Sequence, residues 1–187
     1  LPARLFVNNA YAGLYTVVEA IDRAFLRRTF GEDEGYLFDY AYEMEAPPYY
    51  FEDRGRDPSR YVPAPFSPET HEADPRPEIV ERLVYAINSG GAAQFRGAIE
   101  EFLDVHRFVR YVAVETFLAE QDGFLGDWGM NNFYLYRPPQ SHRFVILPWD
   151  KSHAFVRGPE SSIWRNITDV PDASRNRLVT RLLEHPD

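Results

Sequence analysis

The chain has 187 residues, of which 44% are hydrophobic and 26% are charged, so extensive disorder is excluded. This length predicts one domain or two small ones. A net charge of −9 argues against a general nucleic-acid-binding protein, which usually carries a basic face. No cysteine is present, which excludes disulfides, thiolate catalysis and cysteine-ligated zinc. The longest apolar run, residues 108–119, is interrupted by Arg110 and Glu115 and is too short to span a bilayer.

The N-terminal part alternates β-rich and helical patterns. Residues 5–7 and 14–18 are β-rich and flank turn-forming residues at 8–13, which predicts a hairpin. Residues 19–30 carry apolar side chains at helical spacing, and Gly31 provides a stop signal. A further strand is expected within residues 36–44.

The stretch 46–77 contains eight of the 15 prolines and few aliphatic side chains. We therefore expect no long regular element there, because proline lacks a backbone N–H donor. We predict an ordered but irregular excursion or a mobile lid. The simpler alternative is a surface loop without a role.

Helical periodicity returns after this stretch. It predicts helices at residues 78–88, 92–103, 105–120 and 175–184. Asp104 is the expected N-cap of the third, which we predict to be the central core helix. Residues 121–131 read as a loop, followed by strands at 132–137 and 143–147 joined by a turn.

The elements are segregated rather than alternating, which predicts an α+β fold. The chain starts without Met and stops soon after its last helical pattern. We therefore expect residues 1–187 to be a single domain that is truncated at both ends, with the proline-rich stretch 46–77 inside it.

Polar residues concentrate around the second predicted hairpin. Asp122, Asp127, Asn131 and Asn132 precede its first strand, and Asp150 follows its second. A hairpin brings its two ends together, so Asp150 is expected close to the loop residues. Two carboxylates and an amide oxygen form a site suited to Mg²⁺.

The spacing within this cluster has a chemical meaning. Asp127 stands five residues before Asn132, and a hairpin then leads to Asp150. The catalytic loop of protein kinases places its base and its metal-binding Asn at this spacing, ahead of a metal-binding Asp. The alternative is structural, with these residues forming turns and caps.

Three segments resemble the spore coat protein H (CotH) kinase family. Residues 7–22 (VNNAYAGLYTVVEAID) are similar to its N-terminal signature. Residues 131–137 (NNFYLYR) and 146–150 (ILPWD) are similar to its second signature. The order and spacing of the signatures agree over about residues 4–155.

The resemblance implies an atypical protein-kinase-like fold, with a small N-terminal β-rich part and a larger helical part that carries a catalytic hairpin. It also implies Mg²⁺- and ATP-dependent phosphorylation of serine or threonine in protein substrates. In bacilli these substrates are spore coat proteins, and similar domains occur in secreted or surface proteins of other bacteria. No nucleic-acid partner and no transmembrane segment are expected.

Carried onto this sequence, the resemblance makes Asp150 the metal aspartate and Asn132 its amide partner. The catalytic aspartate stays open between two candidates. Spacing favours Asp127, whereas Asp122, in the segment Asp-Gly-Phe, resembles the family's own motif. We place Asp127 first and keep both.

On the nucleotide side, Gly13 lies in a segment that would cover phosphates, and Glu19 would be the helix glutamate of a kinase-like ion pair. The family often has a lysine in the strand that follows the first helix, and at that position, directly after Leu37-Phe38, this chain has Asp39. Lys151 is the only lysine and is therefore the candidate for contacting phosphates. The missing strand lysine leaves an alternative function: a catalytically inactive, kinase-like binding or surface-adhesion module. A carboxylate-based glycan hydrolase is a third reading.

Overall fold

The computed structural model describes residues 1–156, 158–160, 162, 164, 166, 167, 169, 170 and 174–184. Over these residues the chain is α+β, with two small antiparallel sheets and five α-helices. It divides into two compact units, Leu1–Asp33 and Glu34–Asp187. The elements in chain order are β1 (Pro2–Val7), β2 (Ala10–Thr16), α1 (Arg23–Phe30), β3 (Tyr36–Tyr40), a 3₁₀ turn (Pro58–Arg60), β4 (Phe66–Pro68), α2 (Glu78–Asn88), α3 (Ala92–Glu100), α4 (Val105–Leu118), β5 (Phe133–Arg137), β6 (Val145–Pro148) and α5 (Arg177–Leu183).

The first unit contains the predicted hairpin and helix with shifted boundaries. Asn8 and Asn9 alone form the turn, both with positive φ (50° and 64°), as a tight two-residue hairpin turn requires. Strand β2 therefore begins at Ala10, before the predicted end of the turn at residue 13. Helix α1 begins at Arg23 and not at residue 19, because the Asp22 side chain accepts the N–H groups that open the helix.

The second unit is built on a four-stranded antiparallel sheet in the order β4-β3-β5-β6. The expected strand at 36–44 ends at Tyr40. The Ala46 N–H bonds to the Glu43 carbonyl to close a turn, and two prolines follow. The last two strands form the predicted hairpin, with Phe133 opposite Pro148.

The proline-rich stretch is part of the core and is neither a surface loop nor a lid. It is irregular, as predicted, but its strand β4 pairs with β3. Aromatic side chains supply the apolar surface that aliphatic residues do not. The buried apolar residues of this stretch are Tyr49, Tyr50, Phe51, Tyr61, Val62, Pro65 and Phe66.

Helix α2 has the bounds that the periodicity predicts and is the most buried helix, packed against α3 and α5. Helix α4 is capped by Asp104 as predicted, through a hydrogen bond from the Arg107 N–H. It is not the central core helix, because its apolar residues run around the helix and Val109, Val114 and Phe117 face solvent. No helix in the described part of the chain is both long and apolar enough to cross a membrane.

Candidate functional site

The site is built where strands β5 and β6 end side by side. The Trp149 N–H donates to the Asn132 carbonyl over 2.9 Å, one position beyond the last strand pair. Asn132 (φ 54°) and Asp150 (φ 27°) both adopt left-handed backbone conformations, which Asn and Asp tolerate better than most residues. The chain therefore turns out of the sheet at both residues, and the hairpin brings them to the same end.

Asp122 is fixed at this end by two asparagine side chains. Asn131 Nδ2 donates to Asp122 Oδ1 over 2.9 Å. Asn132 Nδ2 donates to the Asp122 carbonyl over 2.7 Å and contacts Asp122 Oδ2 at 3.2 Å. Both carboxylate oxygens are thus oriented by amide donors, and the group is half-buried. Asp122 and Asn132 form one hydrogen-bonded unit despite the loop between them.

Asp127 occupies a different position. Its backbone N–H bonds to the Gln121 carbonyl over 3.0 Å, which folds the loop back on itself. The residue is exposed and lines a cavity of about 150 Å³ together with Tyr50, Phe124 and Asn176. Asn132 is therefore hydrogen-bonded to Asp122, which lies farther from it in sequence than Asp127 does.

A buried ion pair lies beneath the loop. Lys151 Nζ is 2.9 Å from Glu115 Oε1, with side-chain exposures of 21% and 2%. The same ammonium donates to the Asn132 carbonyl over 3.4 Å. Burial raises the pKa of the Glu115 carboxyl, and the Lys151 charge opposes that rise. Lys151 thus connects helix α4 to the end of the hairpin.

Gly123 passes directly over this ion pair. A Cβ at this position would lie 2.6 Å from Glu115 Oε2 and 3.1 Å from Lys151 Nζ. Glu120 closes the remaining side, with its Cγ at 2.7 Å from the same point. Only glycine allows the loop to approach the pair this closely.

Asn132 and Asp150 each keep one side-chain oxygen of the kind that a hard divalent cation binds. Asp150 is exposed, and its Oδ1 accepts the Ser152 N–H over 3.0 Å, which leaves Oδ2. The Asn132 amide nitrogen faces Asp122, which leaves its Oδ1. Mg²⁺ in nucleotide sites takes one or two such side chains and completes its shell with phosphate oxygens and water. Among the described residues, no three His, Asp or Glu side chains form a metal site by themselves.

The predicted nucleotide-side residues of the first unit have other local roles. Gly13 lies within β2 beside a bulge (φ 137°), not in the turn. Glu19 precedes α1 and pairs with Arg28, whose Nε is 3.0 Å from Glu19 Oε1. The expectation that Glu19 opens the helix is therefore wrong, because Asp22 provides the cap.

Sequence reasoning did not predict the surroundings of three residues of the second unit: Glu115, His153 and Asp39. In the sequence, Glu115 is only a charge that interrupts an apolar run. In the structure it forms an ion pair with Lys151, the single lysine. His153 Nδ1 lies 3.8 Å from Asp122 Oδ2, although no histidine spacing pointed to it. Asp39, in the position where the family often has lysine, has its pKa raised to about 6, mainly by burial and then by Glu69.

The profile of the CotH kinase protein family matches residues 1–187. The chain is also 25% identical over 182 residues to the inner spore coat protein H of Bacillus subtilis (strain 168). That similarity covers 97% of this chain and 48% of the relative, so the chain spans about half of the relative's length. The match extends through both signatures and the hairpin that joins Asn132 to Asp150. The chain therefore belongs to the CotH kinase protein family.

Proposed function

We propose that this domain is a protein-kinase-like phosphotransferase that uses Mg²⁺ and ATP to phosphorylate serine or threonine in protein substrates. The observation that carries the proposal is the Asp122–Asn132 unit at the end of the hairpin from which the exposed Asp150 follows. Phosphoryl transfer needs an aspartate to orient the acceptor hydroxyl and oxygen ligands for the metal at one place. Membership of the CotH kinase protein family supports the same chemistry.

In this proposal Asp122 receives or orients the acceptor hydroxyl. The amide donors of Asn131 and Asn132 hold its carboxylate in one orientation, so little reorganisation is needed when the hydroxyl arrives. General-base assistance of this kind contributes roughly 10²- to 10⁴-fold to a reaction rate. Asp127, which the five-residue spacing favours, remains the alternative candidate.

Asn132 Oδ1 and Asp150 Oδ2 are the atoms proposed to hold Mg²⁺. The ion would neutralise charge on the phosphates of ATP. Lys151 has a supporting role, because its ammonium pairs with Glu115 and bonds the Asn132 carbonyl. Contacts of Gly13 and Glu19 with the nucleotide stay predictions.

A catalytically inactive binding or surface-adhesion module is the second candidate. Asp39 stands in β3 where the family often has its lysine, and a carboxylate there would repel phosphates. The only lysine is engaged with Glu115. For either function we propose association with a spore coat or cell surface, since the Bacillus subtilis relative is named a spore coat protein.

Calorimetric titration of ATP, with and without Mg²⁺, tests the proposal. The parent protein is expected to bind ATP only with Mg²⁺, and Asp150→Asn is expected to lose this binding while keeping its melting temperature. Asp74→Asn removes the same charge at an exposed position outside the hairpin and serves as the control. A parent protein that binds no Mg·ATP would favour the inactive module. Unchanged binding by Asp150→Asn would make Asp150 a structural cap.

A further inference from the structure

A groove of about 820 Å³ lies at the turn end of the β5–β6 hairpin, opposite the Asn132 end. Four arginines line it: Arg76, Arg82, Arg137 and Arg143. Glu78 and Glu101 are the carboxylates along its wall, so arginine outnumbers acid two to one. This excess runs against the net charge of −9 of the whole chain. Positive charge is therefore concentrated here against the general trend of the protein.

Two of these arginines make no direct contact with a carboxylate of the described residues, although the charge of Arg82 also acts on Glu78 four residues earlier in α2. Within the described part of the chain, the guanidinium groups of Arg82 and Arg143 make no hydrogen bond or ion pair, and both residues are exposed. Arg76, by contrast, pairs with Glu78. Arg137 is half-buried, and its guanidinium contacts His142 Nδ1, which carries no negative charge. The groove thus keeps an unsatisfied capacity to bind anions.

The arginines also crowd one another. Burial lowers the pKa of the Arg137 guanidinium, and the neighbouring charges of Arg76 and Arg82 lower it further, whereas Tyr36 and Glu78 oppose the shift. Like charges held together in this way are relieved when an anion binds between them. Repulsion within the groove is therefore a reason for the site to favour an anionic ligand.

The groove is assembled from separate, ordered elements. Arg82 projects from α2, Arg137 ends β5, and Arg143 follows the turn just before β6. The Arg143 N–H bonds to Ser141 Oγ, which fixes that turn. Apolar surface lies between the charges, supplied by the half-buried Phe102. Such a mixture of charge and apolar surface suits a ligand with a carbon backbone.

We propose that this groove binds an acidic segment of a partner protein, whose carboxylate or phosphate groups pair with Arg82 and Arg143. Arginine forms two parallel hydrogen bonds with both kinds of group. A volume of about 820 Å³ is much larger than one inorganic anion needs and matches several side chains of a peptide. Duplex nucleic acid is disfavoured by the acidic remainder of the chain, and a flat membrane surface does not enter a concave groove.

This binding site is separate from the proposed phosphotransfer site and does not depend on it. Arg137, at the edge of the groove, is the fifth residue after Asn132 along β5, a span of about 17 Å at the usual rise of a strand. An acidic partner can therefore bind at the turn end whether or not the Asn132 end transfers phosphate.

Fluorescence anisotropy with labelled 12-residue peptides tests the inference. The probes are a Glu/Ser peptide, its phosphoserine counterpart, and a Gln/Ser peptide as the neutral control. We expect the two acidic peptides to bind, with affinity that falls as salt rises, and the neutral peptide not to bind. The double variant Arg82→Ala/Arg143→Ala is expected to weaken binding about tenfold.

The matched control is Arg4→Ala/Arg110→Ala, which removes two exposed arginines outside the groove. It is expected to bind within about twofold of the parent. If the groove variant melts early, Arg82→Gln/Arg143→Gln replaces it and keeps more of the side-chain packing. Equal binding by the groove variant and the control would overturn the proposal. Tighter binding of duplex DNA or phosphatidylglycerol vesicles, lost in the groove variant, would overturn the choice of a peptide.

Discussion

The two ends of the β5–β6 hairpin have opposite chemistry although one pair of strands supports both. At the Asn132 end, Asp122 is bound by two amide side chains, and Asp150 offers a carboxylate to solvent. At the turn end, Arg82 and Arg143 gather around a groove without carboxylate partners among the described residues. The strands determine where each end lies, whereas the surrounding loops and helices determine its charge.

The ends also differ in how completely their polar groups are satisfied. The Asp122 loop is tied down by internal hydrogen bonds and by the Glu115–Lys151 pair beneath it. Such an arrangement is preorganised, as a site for chemistry requires. The arginines of the groove retain donors for a ligand, as a site for binding requires. Substitutions that change one end should therefore leave the other end intact.

The largest effect is expected from a substitution at the Asn132 end of the hairpin. Asp122→Asn is expected to lower phosphotransfer to an acceptor protein by about 10²- to 10³-fold while ATP affinity stays nearly constant, because a base acts mainly in the transition state. Asp127→Asn is the matched variant from the same loop and is expected to keep most of the rate. Transfer from labelled ATP and calorimetric ATP binding are the two measurements. The reverse ranking would assign the role to Asp127, and full activity of both variants would contradict the kinase interpretation of this loop.

Gly123→Ala tests whether the Asn132 end depends on the close packing of Gly123 against the Glu115–Lys151 pair. The added methyl group would lie 2.6 Å from a Glu115 oxygen and 2.7 Å from Glu120 Cγ, so the loop or these side chains must shift, at a cost of about 1–3 kcal/mol. Gly97→Ala is the control in α3, where a Cβ meets nothing within 4 Å and is expected to stabilise the helix by about 0.5–1 kcal/mol. Urea unfolding measures both. Equal effects of the two substitutions would show that the loop is not constrained by the ion pair.

Lys151→Met removes the cation that joins α4 to the Asn132 end of the hairpin. It leaves the buried Glu115 without its ion-pair partner, at a cost of about 2 kcal/mol at pH 7.5 after allowance for the partial exposure of Lys151. The folded-state pKa of Glu115 is already raised and should rise further. The deficit therefore develops as the pH rises above the folded-state pKa of Glu115 in the parent, which is already above 4.5, and it is absent at pH 4, where the carboxyl is protonated in both proteins. Urea unfolding at both pH values tests this, and Glu115→Gln/Lys151→Met should recover most of the loss. A deficit independent of pH would contradict the electrostatic account.

The smallest expected effect concerns Asp39, which lies opposite Tyr134 between the two ends of the hairpin. Its pKa is raised from 3.8 to about 6, so the folded state binds the proton more tightly than the unfolded state. Stability contributed by this group is therefore lost as the pH rises from about 4 to 6. Asp39→Asn is expected to stabilise the protein by about 1 kcal/mol at pH 7.5, after allowance for solvent screening, and hardly at all at pH 3.5. Thermal unfolding at the two pH values measures the difference, and destabilisation at pH 7.5 would contradict it.

Local patterns predicted the parts of the fold that local interactions decide. Helix α2 has its predicted bounds because apolar periodicity and the Ser-Gly-Gly that follows act within one segment. The Asp104 cap and the β5–β6 hairpin follow for the same reason. The predicted boundaries were wrong where two signals competed. Helix α1 begins after the Asp22 cap and not at Glu19. The first hairpin turn consists of Asn8 and Asn9 and is shorter than the predicted turn.

The sequence by itself determined the α+β class, the two hairpins and the family signatures, and these placed Asn132 and Asp150 at one end of a hairpin. Spacing along the chain ranked Asp127 ahead of Asp122, whereas the folded loop turns Asp122 toward Asn132. The pairing of Glu115 with Lys151 and the burial of the proline-rich stretch were equally decided by the tertiary structure. The physical reason is the same in each case: these contacts join segments far apart in the chain, and their free energy depends on burial that no local window contains.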